Sequence, residues 1–312
     1  MVRFTSDLKD FPDLLQAVAQ ARRIPAAIVE KDYYLIRALR ALQQKIGEQF
    51  LLKGGTSLAK GWNLLERFSE DLDLLFRVED ASGSFTKAEL RRRLKNAEKI
   101  IRDTPGFTFH DKFSDDGVPH RDTHFTYPKQ AGTLNALGGT VLLEMGPRGD
   151  ASHSTMRRVS SFVAEFAHKT RKDHLAEDLS SFEVECLDVR RTFVEKLYAA
   201  HAAYVENRAQ GKARHYYDLY QLAGMPEVQG FVGSNEYHGV CKDAEGYSRQ
   251  FWKGKPLPEA GFANSSAFWP DADGFKALLS HYENEADLFF GHQPPLKEIL
   301  ERLQSLLAKA GS

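Results

Sequence analysis

"LLKGGTSLAKGWNLLERFSEDLDLLF", residues 51–76, holds the two patterns that decide the fold class. A short apolar run ends at two adjacent glycines, which predicts a buried strand followed by a turn. An Asp-Leu-Asp-Leu alternation starts at Asp71 and predicts a second strand with one apolar and one acidic face. If the turn and the acidic strand belong to one site, that site defines the function.

The acidic face of the second strand carries two carboxylates. Side chains alternate across a strand, so Asp71 and Asp73 point to one side, with Cα atoms about 7 Å apart. Two like charges held together are unfavourable unless a cation lies between them, and Mg²⁺ commonly takes one or two carboxylates together with substrate phosphates. Taken alone, the alternation is more typical of the polar outer face of an edge strand.

The glycine pair is also a weak signal by itself. Gly54 and Gly55 are typical of a turn, and the G-x-x-x-x-G-K-[ST] spacing of a P-loop is absent. A glycine turn that leads into a helix nevertheless leaves backbone N–H groups available to an anion. An anion site followed by a metal-binding carboxylate pair is what a nucleoside triphosphate and its Mg²⁺ require, so the combination is more specific than either half.

Composition bounds the class of protein. The chain has 312 residues, of which 42% are hydrophobic and 27% charged, which is typical of a soluble globular protein. No apolar run approaches the roughly 18 residues of a membrane span, and the N-terminal sequence lacks the apolar core of a signal peptide. We therefore expect a cytoplasmic protein that does not bind membranes.

Other metal sites are disfavoured by the sequence. Two cysteines, Cys186 and Cys241, cannot form a disulfide framework or a four-thiolate zinc site. His120 and His124 have a H-x-x-x-H spacing, but on the strand predicted there they would lie about 13 Å apart. That separation is too large for one zinc ion.

The net charge of −1 indicates no overall attraction to nucleic acid, so any basic surface must be local. A charge run on a helix is usually only a solvated face, which is the simpler interpretation of both clusters that occur here. One cluster comprises Arg91, Arg92, Arg93, Lys95 and Lys99, and the other comprises His168, Lys169, Arg171 and Lys172.

Hydrophobic periodicity predicts an α+β fold, with a mixed first half and a helical second half. We place a boundary near residue 180, giving domains at 1–180 and 181–312. Thr86 followed by Glu89 predicts a helix start by the capping-box pattern. Predicted helices are 11–23, 25–46, 56–65, 86–103, a helical region from about 188, 213–223, 273–285 and 295–309. Predicted strands are 50–52, 71–76, 107–113, 121–127, 139–145 and 157–167.

Six segments together resemble a known family. "KGGTSL" (53–58) followed by "RFSEDLDL" (67–74) is similar to the AbiEii/AbiGii-type nucleotidyltransferase toxins of the DNA polymerase β-like superfamily. The resemblance extends to "EKDYYL" (30–35), "VLLEMG" (141–146), "VRRTFVEKLYAAH" (189–201) and "KARHYYDLYQL" (212–222). It covers residues 30–222 and leaves the C-terminal ninety residues unassigned.

The resemblance implies a polymerase β-like nucleotidyltransferase sheet with helices, followed by a mainly helical lobe. It also implies Mg²⁺-dependent transfer of a nucleoside monophosphate from an NTP to an acceptor hydroxyl, with Mn²⁺ as an alternative metal. The implied acceptor is the 3′ end of tRNA, and the implied partner is a cognate antitoxin protein. Two alternatives stay open: a protein or small-molecule acceptor such as an aminoglycoside, and a non-catalytic nucleotide-binding module, against which the intact acidic pair argues.

Residue roles follow from the same comparison. Asp71 and Asp73 are the predicted metal ligands, and Glu144 is either the third catalytic carboxylate or an ordinary strand residue. Lys196 is implied to contact the triphosphate, and its position off the Phe193/Leu197 face of its helix leaves it free to point into a cleft. Arg214 and Asp218 either form a surface salt bridge, as their spacing of four allows, or line the active site.

The glycine turn supplies the predicted phosphate site. Gly54, Gly55 and the hydroxyls of Thr56 and Ser57 are expected to hold the β- and γ-phosphates. Lys53 flanks the turn as a further nucleotide-binding candidate. Lys60 also flanks it and is more typical of a solvated surface lysine.

Ser69 is a candidate regulatory phosphorylation site. If the acidic strand begins at Ser69, the Ser69 hydroxyl shares the face of Asp71, and a phosphate there would repel the nucleotide. The resemblance implies that a kinase-like antitoxin can act at such a hydroxyl. The alternative is that Ser69 only caps the start of the strand.

Overall fold

A computed structural model describes residues 3–81, 83–115, 120–132, 139–147, 153–208, 212–252 and 261–310. The helices are α1 Phe11–Arg22, α2 Ala26–Ile46, the single turn α3 Gly54–Thr56, α4 Lys87–Arg102, α5 Phe162–Lys169, α6 Val189–Val205, α7 Arg214–Ala223, α8 Pro226–Phe231, α9 Asn235–Trp252, α10 Ala272–Glu283 and α11 Leu296–Leu307. The strands are β1 Phe50–Lys53, β2 Asp71–Phe76, β3 Glu79–Asp80, β4 Gly83–Ser84, β5 Thr108–Asp115, β6 His120–Thr126, β7 Thr140–Gly146, β8 Ser154–Val159 and β9 Phe182–Leu187.

Within the described residues, seven strands form one mixed sheet in the order β5-β6-β7-β2-β1-β9-β8, and β3 and β4 form a separate short hairpin. Strand β2 lies near the centre of the large sheet, between β7 and β1. It runs parallel to β7 and antiparallel to β1. The fold is therefore α+β, as the hydrophobic pattern predicts.

The chain divides into two compact units. Unit 1 comprises Met1–Asn63 and Phe68–Cys186, and unit 2 comprises Leu64–Arg67 and Leu187–Ser312. The main boundary between the units lies between residues 186 and 187, whereas the sequence pattern placed it between residues 180 and 181. The segment Leu64–Arg67, which the sequence pattern assigned to the first domain, belongs to unit 2.

In unit 1, the sheet buries one face beneath helices. Leu72 of β2 and Leu143 of β7 are paired in register and almost fully buried. Helix α4 packs on this side, because its Glu98 accepts hydrogen bonds from Arg121 and Thr123 of β6. Thr86 caps α4 through the capping box that the sequence predicts.

Unit 2 is helical. Helix α7 packs against α6 and α11, and α6 also packs against α8 and α9. Phe193, Leu197 and Ala200 of α6 are buried, as their shared face predicts. Two of these helices, α8 and α9, occupy the Gly- and aromatic-rich stretch that the periodicity left unassigned.

Two local expectations are wrong, and one strand of the large sheet was missed. The predicted strand at 157–167 ends at Val159, and the apolar residues that follow form α5, whose first turn is capped by the Ser161 hydroxyl. The helix predicted at 56–65 reduces to the turn α3 and a π-helical turn, Ser57–Gly61. Strand β9 was not predicted at all.

Among the described residues, none of the helices combines the length and the apolar character that a bilayer span requires.

Candidate active site

A row of acidic residues crosses three neighbouring strands of unit 1. Asp73 of β2 pairs with Glu144 of β7, and Glu144 pairs in turn with Asp122 of β6. Asp71 lies on the same face two residues before Asp73. All four are half-buried, and they occupy the face opposite to Leu72 and its helical cover. The structure thus brings Glu144 beside the predicted metal ligands, and it adds Asp122, which the sequence analysis did not identify.

Crowding in this row alters the acidity of Glu144. The pKa of Glu144 is raised to about 8, mainly by burial and also by the neighbouring carboxylates of Asp73, Asp71 and Asp122. A hydrogen bond between Glu144 and Asp73 contributes as well, which requires one proton between the two carboxyl groups. The metal-free row therefore holds more negative charge than its surroundings accommodate.

The raised pKa predicts a pH-dependent stability for the metal-free protein. The folded state holds the Glu144 proton up to about pH 8, whereas the unfolded chain releases it near the ordinary value of 4.5. The folded state binds more protons in that window, so the free energy of unfolding should fall as pH rises from 4.5 to 8. Glu144→Gln should weaken this dependence, as measured by urea unfolding in EDTA at several pH values. Identical pH profiles for the two proteins would contradict the assignment.

The donor set of the row fits a hard divalent cation. Asp71 and Asp73 offer carboxylate oxygens, and a cation would relieve the repulsion that raises the pKa of Glu144. Among the described residues, no group of three or more His, Cys, Asp or Glu side chains is arranged to hold a metal ion. The expected ligands are accordingly the two aspartates, completed by nucleotide phosphates and water, as is common for Mg²⁺.

The glycine turn and the acidic strand are in direct contact. Lys53, the last residue of β1, pairs with Asp73 in the sheet, and Gly54 follows with a φ of +67°. A Cβ atom added to Gly54 would lie 2.7 Å from Cγ of Asp73, which is closer than real side chains approach. Position 54 requires glycine for two reasons: the backbone there is left-handed, and the Asp73 side chain occupies the space that a Cβ atom would need. The two patterns in residues 51–76 therefore lie side by side in the fold, and their joint role in one site stays a prediction.

The two hydroxyls after the glycines are buried. Thr56 donates its hydroxyl hydrogen to the backbone carbonyl of Asp71 at 2.5 Å, which ties the turn to the first residue of β2. Ser57 has no exposed surface and lies beside the Cys186 thiol. These positions give both residues a structural role, and their contact with nucleotide phosphates stays a prediction.

One turn of α2 forms ion pairs with residues that adjoin the acidic strand and the glycine turn. Glu30, Lys31 and Asp32 are consecutive charged residues that are each at most 2% exposed. Such burial is unfavourable unless every charge has a partner. Their partners are the backbone N–H groups of Gln130 and Ala131 for Glu30, the carboxylate of Glu70 for Lys31, and both the Lys60 ammonium and the N–H of Phe162 for Asp32.

These contacts explain the "EKDYYL" segment. Glu70 immediately precedes Asp71, and its ion pair with Lys31 measures 3.0 Å. Lys60 closes the helical turn that starts at the glycines, and its side chain is 9% exposed. The expectation that Lys60 is a solvated surface lysine is wrong, because it is paired with Asp32 and packs over the Phe162 ring.

Lys196 and Asp218 meet in unit 2. The Lys196 ammonium lies 2.6 Å from Oδ2 of Asp218, and the guanidinium of Arg67 contacts both oxygens of the same carboxylate. Asp218 has no exposed surface, so a surface salt bridge with Arg214 is excluded. Lys196 is 7% exposed and is thus held by Asp218 rather than free, which corrects the expectation drawn from its helical position.

The two cations hold Asp218 in its ionised form. Burial alone would raise the pKa of Asp218, but Arg67 and Lys196 reverse the direction and hold it well below the ordinary value. Arg67 is the first residue of the "RFSEDLDL" segment, and the sequence pattern alone indicates no role for it. Its position four residues before the carboxylate pair was the available signal.

Arg214 lies at the first turn of α7. The N–H groups of Ala213 and Arg214 both donate to the Glu285 carboxylate at 3.0 Å, so a side chain from the unassigned C-terminal region caps this helix. Arg214 also acts electrostatically on Glu285. Its contact with a nucleotide stays a prediction.

Ser69 lies just outside the acidic strand. Strand β2 begins at Asp71, so the condition that placed the Ser69 hydroxyl on the acidic face is not met. Ser69 is half-buried, between Phe68 and the Glu70 that pairs with Lys31. Its role as a phosphorylation site stays a prediction.

The basic cluster on α4 lies on the far side of the sheet from the acidic row. Helix α4 covers the face of Leu72 and Thr123, whereas Asp73, Glu144 and Asp122 project from the other face. Lys95 and Lys99 of this cluster are exposed, which agrees with a solvated helix face. The α4 cluster therefore does not border the carboxylates.

Comparisons with known proteins agree with this geometry. The AbiEii family model, described as "Nucleotidyl transferase AbiEii toxin, Type IV TA system", matches residues 37–302. MenT4, a nucleotidyltransferase toxin from Mycobacterium tuberculosis H37Rv, has a similar structure, with a TM-score of 0.63 and 17% sequence identity over 96% of this chain and 89% of that chain. No curated protein sequence matches the chain.

The structural likeness to MenT4 shows a shared fold, and the family match spans most of the chain, including the acidic strand, Lys196 and Asp218. Membership of this family implies an NTP substrate and a cognate antitoxin. The chain belongs to the AbiEii family and is a nucleotidyltransferase toxin of a type IV toxin–antitoxin system.

Proposed function

We propose that the protein transfers a nucleoside monophosphate from an Mg²⁺-bound NTP to the 3′-terminal hydroxyl of a tRNA. The observation that carries the metal-dependent chemistry is the contact between Gly54 and Asp73, with Asp71 and Glu144 on the same face. An anion-binding turn packed against carboxylates provides for the phosphates and the cation of one nucleotide.

In the proposed reaction, the acceptor oxygen forms a bond to the α-phosphorus, the bond to the β-phosphate oxygen breaks, and pyrophosphate leaves. Bound Mg²⁺ would neutralise charge on the phosphates and lower the pKa of the attacking hydroxyl. Asp71 and Asp73 would hold the metal. Glu144, once ionised, is the neighbouring group that can accept the hydroxyl proton at its carboxylate oxygen.

Lys196 is a proposed triphosphate contact, and Lys53 and the N–H groups of Gly54 and Gly55 are further proposed contacts. These groups position the nucleotide and offset its charge, which is most of what a protein must supply for phosphoryl-type transfer. Arg214 is proposed to add a further cation.

The acceptor is the part of the proposal that family resemblance alone supports. The α4 cluster lies on the opposite face of the sheet and adds no support for RNA. A direct experiment decides the acceptor. The protein is incubated with each labelled NTP, Mg²⁺ and either total RNA or cell lysate, and the labelled macromolecule is identified.

Label at tRNA 3′ ends would support the proposal. Label on protein or on a small molecule would replace the acceptor and retain the chemistry. If none of the four NTPs labels any acceptor, while an Asp73→Asn control behaves identically, the transfer reaction itself is wrong.

We further propose Ser69 as the point where an antitoxin silences the enzyme. A phosphate adds a charge of about −1.5 to −2, here within two residues of Asp71, where it opposes nucleotide binding. Ser69→Glu should therefore be strongly impaired in labelling assays, and Ser69→Ala should stay active. Wild-type transfer by Ser69→Glu would contradict the regulatory role.

A further inference from the structure

We propose that Arg67 is a positioning residue for nucleotide binding, which holds the Asp218 carboxylate so that the Lys196 ammonium is presented to the triphosphate. The inference rests on the proposed function, because it concerns how the same reaction holds its nucleotide. It assigns a role to a residue that precedes the acidic strand but belongs to unit 2.

Arg67, Asp218 and Lys196 form a cluster in which the guanidinium fork of Arg67 contacts the Asp218 carboxylate at two points. Nε of Arg67 donates to Oδ1 of Asp218 at 2.7 Å, and Nη2 donates to Oδ2 at 2.6 Å. Paired parallel bonds of this kind fix the plane of the carboxylate as well as its position. Lys196 approaches Oδ2 at 2.6 Å, so Arg67 determines where the oxygen that holds Lys196 lies.

Lys196 is the most exposed of the three charged side chains in this cluster, which carries a net positive charge. Two cations share one carboxylate, which leaves the cluster with a net charge of +1, and the nearby Arg214 and Glu285 offset each other. The side chain of Asp218 is 0% exposed, that of Arg67 is 2% and that of Lys196 is 8%. An anion from solvent therefore reaches this excess positive charge first at Lys196.

The backbone of Arg67 is held without its side chain. The preceding carbonyl, of Glu66, accepts hydrogen bonds from Phe290 at 3.0 Å and Gly291 at 3.2 Å, and the N–H of Glu66 donates to the Tyr217 hydroxyl at 3.1 Å. A Cβ atom on Gly291 would lie 2.5 Å from Cδ of Glu66, so the two segments are in close contact. Substituting Arg67 therefore removes the fork and leaves the segment anchored.

The test compares Arg67→Lys and Arg67→Gln with the wild-type protein. Arg67→Lys keeps the charge and loses the fork, while Arg67→Gln loses both. In either variant Asp218 is no longer fixed, and Lys196 is drawn onto it as its main counter-ion. We expect the Kd and KM for the transferred NTP to rise about tenfold or more, as for loss of a charge-assisted phosphate contact, with a smaller change in kcat. Lys196→Ala should show the same split.

Arg191→Gln is the matched control. Arg191 lies on the same helix as Lys196, is 3% exposed, and pairs with Glu195 and Asp243. Its loss should lower Tm as the loss of any buried arginine does, without changing nucleotide affinity.

Two results would overturn the inference. One is a wild-type Kd for the NTP in Arg67→Lys or in Arg67→Gln. The other is a fall in Tm and in kcat with unchanged KM, which would show a purely structural arginine. If the wild-type protein binds the NTP but labels no acceptor, the proposed function fails, and the binding measurements still decide the role of Arg67.

Discussion

Asp73→Asn is expected to abolish nucleotidyl transfer while leaving the fold intact. The substitution keeps the shape of the side chain and removes the charge that would bind the metal. A loss of about 4 kcal/mol of transition-state stabilisation lowers kcat/KM by about 10³-fold, at 1.36 kcal/mol per tenfold. Asp71→Ala and Asp73→Ala should behave in the same way, measured as incorporation of labelled nucleotide.

Stability gives this prediction an independent readout. Asp73 lies beside Glu144 and is one cause of its raised pKa, so removing the Asp73 charge relieves repulsion in the metal-free protein. The Tm of Asp73→Asn in EDTA should be equal to or above that of the wild type. Glu185→Gln is a suitable control, since Glu185 is a half-buried strand carboxylate that pairs with Arg77 away from the acidic row. Full activity in Asp73→Asn would overturn the metal assignment.

Local patterns were sufficient where one short segment determines its own structure. The alternation at Asp71 and Asp73 predicted β2 to the residue, and Thr86 with Glu89 predicted the start of α4. The apolar run around Val159 was ambiguous, because a short apolar stretch has no clear period. There the Ser161 cap decided for a helix.

Pairing between distant segments could not be predicted in the same way. The register that places Glu144 and then Asp122 beside Asp73 depends on how three strands align, and a shift of one residue would have turned Glu144 to the other face. Lys196 appeared free on its own helix because its partner, Asp218, lies on another helix. Buried charges such as Lys31 and Lys60 were similarly misleading, since their burial depends on partners elsewhere in the fold.

Gly54→Ala is expected to damage both stability and activity, because the new methyl group would occupy the space of the Asp73 carboxylate. Alanine in the left-handed region already costs about 1–2 kcal/mol. Gly132→Ala isolates that part, since Gly132 has a φ of +84° and, among the residues that the structure describes, nothing lies within 4 Å of an added Cβ. The Tm of Gly54→Ala should fall well below that of Gly132→Ala, and transfer activity should be lost only in Gly54→Ala.

A double variant assigns the excess to the contact with Asp73. If the methyl group of Gly54→Ala collides with the Asp73 carboxylate, then adding Asp73→Ala removes the carboxylate and leaves only the Cβ of residue 73, 3.1 Å away. The Tm loss caused by Gly54→Ala should then shrink towards that of Gly132→Ala. Thermal unfolding of the four proteins in this cycle measures the coupling. A Tm loss that is the same with and without the Asp73 side chain would mean that the glycine turn and the acidic strand are neighbours without being in contact. The proposal of a single nucleotide site would then lose its main structural support, because the turn could tolerate a side chain without displacing a metal ligand.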